Sequence, residues 1–411
     1  MKRMYRRCCG IDVHKATLSA CVRVHKHGKL TEETRTFGTT SDELLALRDW
    51  LSGHRVTHVT MEATGVYWKP VYYVLEQGFI VLLVNPVEIK RMPGRKTDVS
   101  DCAWLAQLLE YGLLKPSFVP PPAIRELREL VRHRTELKHD HTRIANRLHK
   151  VLQDADLKLS SVMTDILGVS GRQILSQLAT GHSDPVALAD LARGRLRAKL
   201  PALRQALAGR FSEHHAFLLS HLLADLDYLE ESMTTLAERI EQKLAPFAQE
   251  LDCLGTIPGV KRINAAVLIA EVGTDMSRFP TDTHLASWGG MAPGINESAG
   301  KRRRARARRG NRWLRAALVE SGHAAGRTRD TALAAIYRRM TIRKGRKHAA
   351  FVVGRHILTI AYHLLAQHTT YREAGVAYLQ QRRVEQAKRR CLDQLRALGF
   401  QATLTPLPNA A

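Results

Sequence analysis

The sequence of 411 residues lacks the features of several common protein classes. No apolar run exceeds the six residues of 79–84, whereas a membrane-spanning helix needs about 20. The basic N-terminus is not followed by an apolar stretch of the signal-peptide type. The six cysteines include no C-x-x-C pair and have no histidines at zinc-finger spacing. We therefore expect a cytoplasmic protein with no membrane partner, no disulfide framework and no structural zinc.

Acidic residues are scarce in the last third of the chain. Residues 251–411 contain 28 Lys and Arg but only 10 Asp and Glu, whereas residues 1–115 and 116–250 carry net charges of only +5 and +1. The whole chain has a net charge of +24. A basic balance of this size predicts a polyanionic partner, and nucleic acid is favoured because the membrane option is weak. Hydrophobic residues make up 45% of the chain, which excludes a fully disordered protein.

Breaks in the pattern divide the chain into three parts. Four prolines within 116–122 interrupt any helix or central strand. A second break lies within 246–259, where a long helical pattern ends. We therefore predict three domains, which span residues 1–115, 116–250 and 251–411.

The first domain has a mixed α/β pattern. Three short segments of strand character are followed by alternating helical and strand segments, which end with a helix over 98–111. This order predicts a mixed sheet covered by helices.

Four acidic residues lie at the ends of these predicted elements. Asp12 and Glu62 end two strands, and Asp98 and Asp101 open the last helix at a spacing of three, which places them on one helix face. Four carboxylates at one rim repel each other unless cations lie between them, and such oxygen ligands suit Mg²⁺. Two such ions about 4 Å apart can stabilise the attacking and leaving oxygens of a phosphodiester. Taken singly, each acid is better explained as a surface residue or a helix cap, and only the order of all four on these elements makes a metal site an equal explanation.

Long helices with a seven-residue repeat are predicted for 116–250. A leucine-rich set recurs every seven residues at Leu130, Leu137, Ile144 and Val151, and apolar residues alternate at spacings of three and four over 219–240. The pattern indicates a coiled coil, within the chain or between chains. Packing within a helical bundle is the alternative.

Two local patterns in the last domain point to phosphate binding. The segment IPGVKRINAAV fits a helix-hairpin-helix element, in which Gly259, Lys261 and Arg262 would contact phosphate near a helix N-terminus. An ordinary helix–helix turn fits its spacing equally well. Residues 301–315 contain nine basic residues and no acid, and they run into a helical pattern rather than a tail. The candidate nucleic-acid-binding residues of this basic block are Lys301, Arg302, Arg303, Arg304, Arg306, Arg308, Arg309 and Arg312.

One hydroxyl lies directly before the basic block. Ser298 occupies a loop between Gly294 and Gly300, where a base or a metal could deprotonate it for attack on a phosphodiester. Taken alone, it is an ordinary loop serine. Ser287 is a competing hydroxyl, but its apolar surroundings in LASWGG favour a packing role.

Several segments together resemble one known family. The chain is similar to the DEDD transposases, the recombinases of bacterial insertion sequences of the one-ten type, in the segments GIDVHK, MEATGVYW, NPVEIKRMPGRKTDVSDCAWLAQLL, IPGVKRINAAVLIAEVG, GMAP and SAGKRRRARARRGNRWLRAAL. The resemblance covers nearly the whole chain and is weakest in the middle helices. It implies an α/β N-terminal domain of the RNase H or RuvC-like fold, long coiled-coil helices and a mainly α-helical C-terminal transposase domain.

The resemblance also implies which residues act. The family's acids fall on Asp12, Glu62, Asp98 and Asp101, where they would bind Mg²⁺ as the cofactor. The family's serine nucleophile falls on Ser298, in a segment where Ala299 replaces a glycine. The resemblance thus implies a phosphoserine link to DNA, formed together with the metal domain of another protomer.

The implied partners are donor and target DNA, a structured guide RNA from the element itself, and further copies of the chain in a dimer or tetramer. The implied location is the bacterial cytoplasm, in association with the nucleoid. Two alternatives stay open: a metal-dependent junction nuclease that uses water as its nucleophile, and a nucleic-acid-binding scaffold without catalytic activity.

Overall fold

The computed structural model describes residues 3–26, 28–92, 100–294, 297–298, 301–302, 310–373 and 375–403. The chain forms two compact units, Met1–Pro120 and Pro121–Ala411. The break lies in the proline-rich stretch, close to the predicted boundary at 115. The second unit contains both the long middle helices and the last third of the chain, so the boundary at 250 and the division into three domains stay predictions.

A mixed five-stranded sheet forms the centre of the first unit. Its strands are β1 (Arg7–Val13), β2 (Thr17–Lys26), β3 (Lys29–Gly38), β4 (His58–Glu62) and β5 (Ile80–Val84), in the order β3-β2-β1-β4-β5. Strands β1 to β3 are antiparallel neighbours, whereas β1, β4 and β5 run parallel. The helices are α1 (Ser41–Gly53), α2 (Trp68–Leu75), α3 (Pro86–Ile89) and α4 (Asp101–Glu110). The predicted mixed sheet is confirmed, and its order is compatible with an RNase H-like domain.

The side chains of β1 alternate between the two faces of the sheet. On one face, Cys9 and Ile11 share a buried core with Leu47 of α1. On the other face, Gly10 lies against α4, because a Cβ placed on this glycine would be 2.2 Å from the carbonyl oxygen of Cys102. A residue without a side chain therefore lets α4 approach the strand backbone, and this contact fixes where α4 begins over the sheet.

Helix α4 begins later than the sequence predicts. The predicted helix over 98–111 placed Asp98 and Asp101 on one face, but α4 spans Asp101–Glu110 and the preceding Ser100 has an extended backbone with a ψ of 150°. Serine is common at the position before a helix. The described helix thus begins three residues after the predicted start, and because Asp98 lies outside the described residues, its shared face with Asp101 stays a prediction.

The described part of the second unit is almost entirely helical. Its longer helices are α5 (Pro122–Asp154), α7 (Val169–Ala179), α10 (Glu213–Leu244), α12 (Arg262–Val272), α14 (Arg312–Ala325), α15 (Ala332–Lys344), α16 (Arg346–Gln367) and α17 (Gly375–Ala397). Its shorter helices are α6 (Leu159–Val162), α8 (Pro185–Asp190), α9 (Leu200–Leu207), α11 (Ala248–Gly255) and α13 (Asp282–Trp288), with 3₁₀ turns at Gly194–Lys199, Ala245–Phe247 and Met276–Arg278. Two short strands, β6 (Glu297–Ser298) and β7 (Lys301–Arg302), form a hairpin.

The second unit has two hydrophobic cores, joined by the long helices α5 and α10. At one end, Leu148 of α5 and Leu226 of α10 pack with the small helices of the middle region. At the other end, Val131 of α5 and Ile240 of α10 belong to the core that α12, α14 and α16 form. The long helices thus lie side by side within one chain, and they hold the two cores apart.

The buried positions of α5 differ from the predicted heptad. Leu130, Leu137, Ile144 and Val151 are only half-buried. The buried residues are instead Ile124, Leu127, Val131, Leu148 and Leu152. Heptad steps from these positions reach polar residues in the middle of the helix, such as His141, whose Nε2 lies 3.0 Å from Glu230 of α10. The apolar repeat in the sequence therefore lies beside the row of positions that the structure buries. A coiled coil between chains stays a prediction.

Helix α16 is, among the described helices, long and apolar enough to cross a membrane by length and composition. Half of its most apolar stretch is buried inside the protein. Its residues Val353, Ile357 and Leu364 belong to the core shared with α12 and α14. The packing is that of a core helix.

Candidate active site

Two of the predicted acids lie at the same level on neighbouring strands. Ile11 pairs with Met61 in the parallel register of β1 and β4, and Asp12 and Glu62 are the next residue on each strand. Adjacent strands are about 4.8 Å apart, and residues at the same level point to the same face. Asp12 shares its face with Gly10, two residues earlier, so both acids lie on the face that α4 covers.

The third acid, Asp101, opens α4 beside this edge of the sheet. Glu62 and Asp101 line one cavity of about 470 Å³, together with Gly65, Lys90 and Trp104. Asp101 also directly precedes the cysteine that contacts Gly10 of β1. The structure thus brings Asp12, Glu62 and Asp101 to the carboxyl ends of β1 and β4.

The acidic edge is accessible to solvent. The side chain of Asp12 is 28% exposed, and its Oδ2 lies 3.2 Å from Nε2 of the more exposed His14. Glu62 is half-buried and Asp101 is exposed. A hydrated cation or a phosphate can therefore reach these carboxylates.

The donor set fits a hard divalent cation. Carboxylate oxygens are the ligands that Mg²⁺ takes from proteins, and this ion binds through one or two carboxylates while it keeps several waters. Within the described residues, no group of three or more His, Cys, Asp or Glu side chains already has the spacing of a metal centre. Asp98, the fourth predicted ligand, lies outside those residues. The Mg²⁺ site therefore stays a prediction.

Sequence reasoning missed the residues that support this edge. The indole of Trp104 lines the acidic cavity and is 8% exposed. At the far end of α4, the buried carboxylate of Glu110 lies 2.9 Å from Nε of Arg23 and 2.8 Å from Nε2 of His25. A negative charge at a helix C-terminus opposes the helix dipole, so the charge of Arg23 compensates it, and the contacts of Glu110 with both residues hold α4 against β2. In the sequence, the position of Glu110 in the last turn of an apolar helix was the feature that could have pointed to this buried ion pair.

The predicted nucleophile lies on the short hairpin of the second unit. Ser298 of β6 pairs with Lys301 of β7 in an antiparallel register. Ala299 and Gly300, between them, lie outside the described residues, as do Arg303, Arg304, Arg306, Arg308 and Arg309 of the basic block. The roles of Ser298 and of this block therefore stay predictions. Ser287, expected to pack in the core, is instead exposed on α13.

A basic groove brings distant cations together in the second unit. This groove has a volume of about 1200 Å³. The charged residues that line it are Lys261, Arg312, Arg315, Arg327, Arg346 and a single acid, Glu320. Lys261 and Arg312 were predicted from the sequence, and Arg315 lies in the same basic block but was not named, whereas Arg327 and Arg346 were missed because they lie outside any local motif. The surplus of positive charge suits a phosphate backbone.

The predicted helix-hairpin-helix segment forms a turn between α11 and α12. Gly259 in this turn has a φ of +87°, and a Cβ there would be 2.4 Å from the backbone nitrogen of Ala325 on α14. The glycine thus allows the turn to pack on α14, at the border of the groove. Arg262 does not line the groove. Its Nε lies 2.7 Å from both carboxylate oxygens of Glu241, which raises the pKa of its guanidinium.

Comparisons with known proteins point to one family. Residues 9–155 match the DEDD IS110 model, described as a transposase, and residues 251–338 match the model described as the transposase IS116/IS110/IS902 family. The chain is 23% identical over 375 residues to the pilin gene-inverting protein of Moraxella lacunata, and 24% identical over 379 residues to that of Moraxella bovis; each alignment covers 88% of this chain and 96% of the relative. It is 27% identical over 301 residues to the insertion element IS110 uncharacterized 43.6 kDa protein of Streptomyces coelicolor, which covers 68% of this chain and 73% of the relative.

Proposed function

This chain belongs to the IS110-type transposases and is a DNA recombinase, and we propose that it exchanges DNA strands through a divalent-metal site and a serine nucleophile. The observation that carries this proposal is the convergence of Asp12, Glu62 and Asp101 at one edge of a sheet of RNase H-like order. Asp98 would complete the ligand set.

Mg²⁺ is the proposed cofactor, held by Asp12, Glu62, Asp98 and Asp101. When bound, it would supply charge stabilisation at the scissile phosphate. The solvent-accessible carboxylates leave room for the waters that this ion keeps. The protein's own contribution at this edge is to hold the acids in register, through the β1–β4 pairing and the packing of α4 on Gly10.

Ser298 is the proposed nucleophile. Its Oγ would attack the scissile phosphorus, lose its proton to a base or water, and displace one DNA hydroxyl. The phosphodiester bond breaks as the phosphoserine ester forms, so the bond energy is kept. A second DNA hydroxyl then attacks the phosphoserine and releases Ser298, which rejoins the strands without a high-energy cofactor.

The basic groove is the proposed binding surface for nucleic acid. Its arginines and Lys261 would contact phosphates and leave the reading of sequence to another component. A structured guide RNA, paired with donor and target DNA, is our proposal for that component. The Moraxella relatives are named for the inversion of a pilin gene, and the reaction proposed here includes inversion as one form of strand exchange. We place the reaction in the bacterial cytoplasm, at the nucleoid.

The test is a denaturing gel of the purified full-length protein with Mg²⁺, its co-purified RNA and labelled element-junction DNA. We expect a covalent protein–DNA band that Ser298→Ala and Asp12→Ala both abolish. Ser287→Ala is the matched control, since this serine is exposed on the nearby α13, and it should keep the band. A band that persists in Ser298→Ala would refute the nucleophile.

The same gel separates the alternatives. Cleavage without a covalent band would indicate a junction nuclease that uses water, and salt-sensitive binding without cleavage would indicate a scaffold. Mixing the Ser298→Ala and Asp12→Ala proteins tests the proposed oligomer. If acids and serine come from different protomers, the mixture regains the covalent band that each variant alone has lost.

A further inference from the structure

The residues on either side of the segment that carries Ser298 lie in backbone contact with each other. This segment, residues 291–309, begins after Gly290 and ends before Gly310. A Cβ on Gly310 would be 2.4 Å from the backbone nitrogen of Gly290, so the two backbones touch. Nη2 of Arg315 also donates to the carbonyl oxygen of Gly290 at 3.2 Å. Two glycines thus let the segment leave and re-enter the fold at one point.

The residue that follows this point is anchored in two directions. Asn311 caps α14, because its Oδ1 accepts hydrogen bonds from the backbone nitrogens of Trp313 and Leu314 at 3.0 and 3.1 Å. Its Nδ2 donates to Oε2 of Glu271 at 2.6 Å. Helix capping uses one side of the amide, and the other side joins the end of the segment to α12.

Glu271 is a fully buried acid that lies within the segment IPGVKRINAAVLIAEVG but was not among the predicted site residues. Its side chain is 0% exposed, and it accepts two parallel hydrogen bonds of 2.7 Å from Nε and Nη2 of Arg132 on α5. Arg128 donates to the carbonyl oxygens of Ala270 and Glu271 at the end of α12. Burial lowers the pKa of Arg128 to about 10, so this arginine is still charged at neutral pH and helps to balance the buried carboxylate.

We propose that Glu271 is a positioning residue for strand exchange, which acts through Asn311 to fix the end of the segment that carries Ser298. The proposal rests on the proposed function, in which Ser298 is the nucleophile. Buried ion pairs are seldom needed for stability, because apolar residues of the same volume often serve as well. A carboxylate that accepts two hydrogen bonds from Arg132, with Nε of Arg128 at 3.6 Å, is, however, a rigid acceptor at a set position. That rigidity suits a site that must hold a nucleophile in line with a phosphate.

The test separates helix capping from the tether. Asn311→Ser keeps a strong N-cap residue, but its side chain ends one bond short of the amide nitrogen that reaches Glu271, and Glu271→Gln keeps the shape of the side chain. The double variant Glu271→Gln with Asn311→Asp moves the carboxylate to position 311 and the amide donor to position 271. It thereby rebuilds the hydrogen bond between the two residues in the opposite direction and keeps the total charge, while Nη2 of Arg132 loses the acceptor that it shares with Asn311.

Three quantities are measured on the full-length proteins: the rate of the covalent band at saturating DNA, the DNA dissociation constant, and amide hydrogen exchange across 291–309. We expect each single variant to form the band roughly tenfold to a hundredfold more slowly, with faster exchange in the segment and unchanged DNA affinity. The double variant should recover most of the rate and the protection. Tyr362→Phe, which removes one donor to the carbonyl oxygen of Phe279 in the same unit, controls for the loss of a partly buried hydrogen bond and should match the wild type.

The proposal is overturned if Asn311→Ser forms the covalent band and exchanges amide hydrogens in 291–309 at the wild-type rates. It is also overturned if the double variant forms the band as slowly as expected from multiplying the effects of the two single variants. Asn311→Ser decides the question even if Glu271→Gln fails to fold. The nucleophile assignment fails by a different result, a covalent band in Ser298→Ala. In that case hydrogen exchange still reports whether Glu271 holds the segment.

Discussion

The contact between β1 and α4 leads to a quantitative prediction for Gly10→Ala. The new Cβ would lie 2.2 Å from the carbonyl oxygen of Cys102 and 2.4 Å from the backbone nitrogen of Ala106. Non-bonded heavy atoms prefer separations of about 3.5 Å, so α4 has to move by about 1 Å or more. Both contacts are with backbone atoms, which cannot rotate away as a side chain could.

The loss of stability expected for Gly10→Ala follows from the close packing of α4 on this face of the sheet. Overpacking a filled core typically costs 1–3 kcal/mol, and we take about 2 kcal/mol for a clash with two backbone groups. The same movement displaces Asp101 from Asp12 and Glu62 by about 1 Å. Misplacement on this scale can lower the rate of a chemical step by about a hundredfold.

The buried cysteines of the first unit provide the assay. Cys9 and Cys102 are 0% exposed and react with a thiol reagent only when the unit opens. A loss of 2 kcal/mol in the free energy of opening raises the labelling rate about 30-fold. Labelling is followed by mass spectrometry for each cysteine in the full-length protein, and Cys253 in the second unit should keep its wild-type rate.

Gly53→Ala is the matched control for this substitution. Gly53 ends α1, and a Cβ there would meet no atom within 4 Å. Alanine should therefore leave labelling unchanged or slow it slightly. If Gly10→Ala labels Cys9 and Cys102 at the wild-type rate and forms the covalent band normally, the argument that this glycine sets the position of α4 is refuted.

Three further predictions concern other parts of the chain. Glu110→Gln should destabilise the first unit by about 1–3 kcal/mol in the same labelling assay, because the buried carboxylate accepts from Nε of Arg23, which keeps only its second ion pair with Glu32; an unchanged labelling rate would contradict this. Arg327→Ala in the basic groove should weaken DNA binding and reduce the slope of log affinity against log salt by about 0.9, whereas the exposed Arg197→Ala outside the groove should change neither. At pH 8, exposed Cys391 should react quickly while Cys8 reacts at the rate of unfolding, since burial raises the pKa of the Cys8 thiol to about 12; equal rates would refute this.

The sequence predicted the sheet of the first unit because strand patterns are local. Alternating apolar residues and a short turn define β1 and β2 without any knowledge of the rest of the chain. The placement of Asp12 and Glu62 at strand ends follows from the same pattern. The start of α4 was missed, since apolar periodicity marks the middle of a helix better than its first turn.

The long helices show where a pattern misleads. The heptad through Leu137 and Ile144 is more apolar than the buried seam, whose middle includes His141 paired with Glu230. A polar residue becomes a seam residue only when a partner on another helix satisfies it. That partner lies 89 residues away along the chain, so local periodicity could not identify it.

The chemistry proposed for this protein rests on residue types that the sequence by itself shows: acids at strand ends, a serine before a basic block, and a strongly basic last third. The positions of the groups that support this chemistry came from long-range packing. Gly10 matters because α4 lies against it, and Glu271 matters because Arg132 and Asn311 converge on it from separate helices. Buried charges of this kind are stabilised by residues far away in sequence, and a linear pattern does not record those distances.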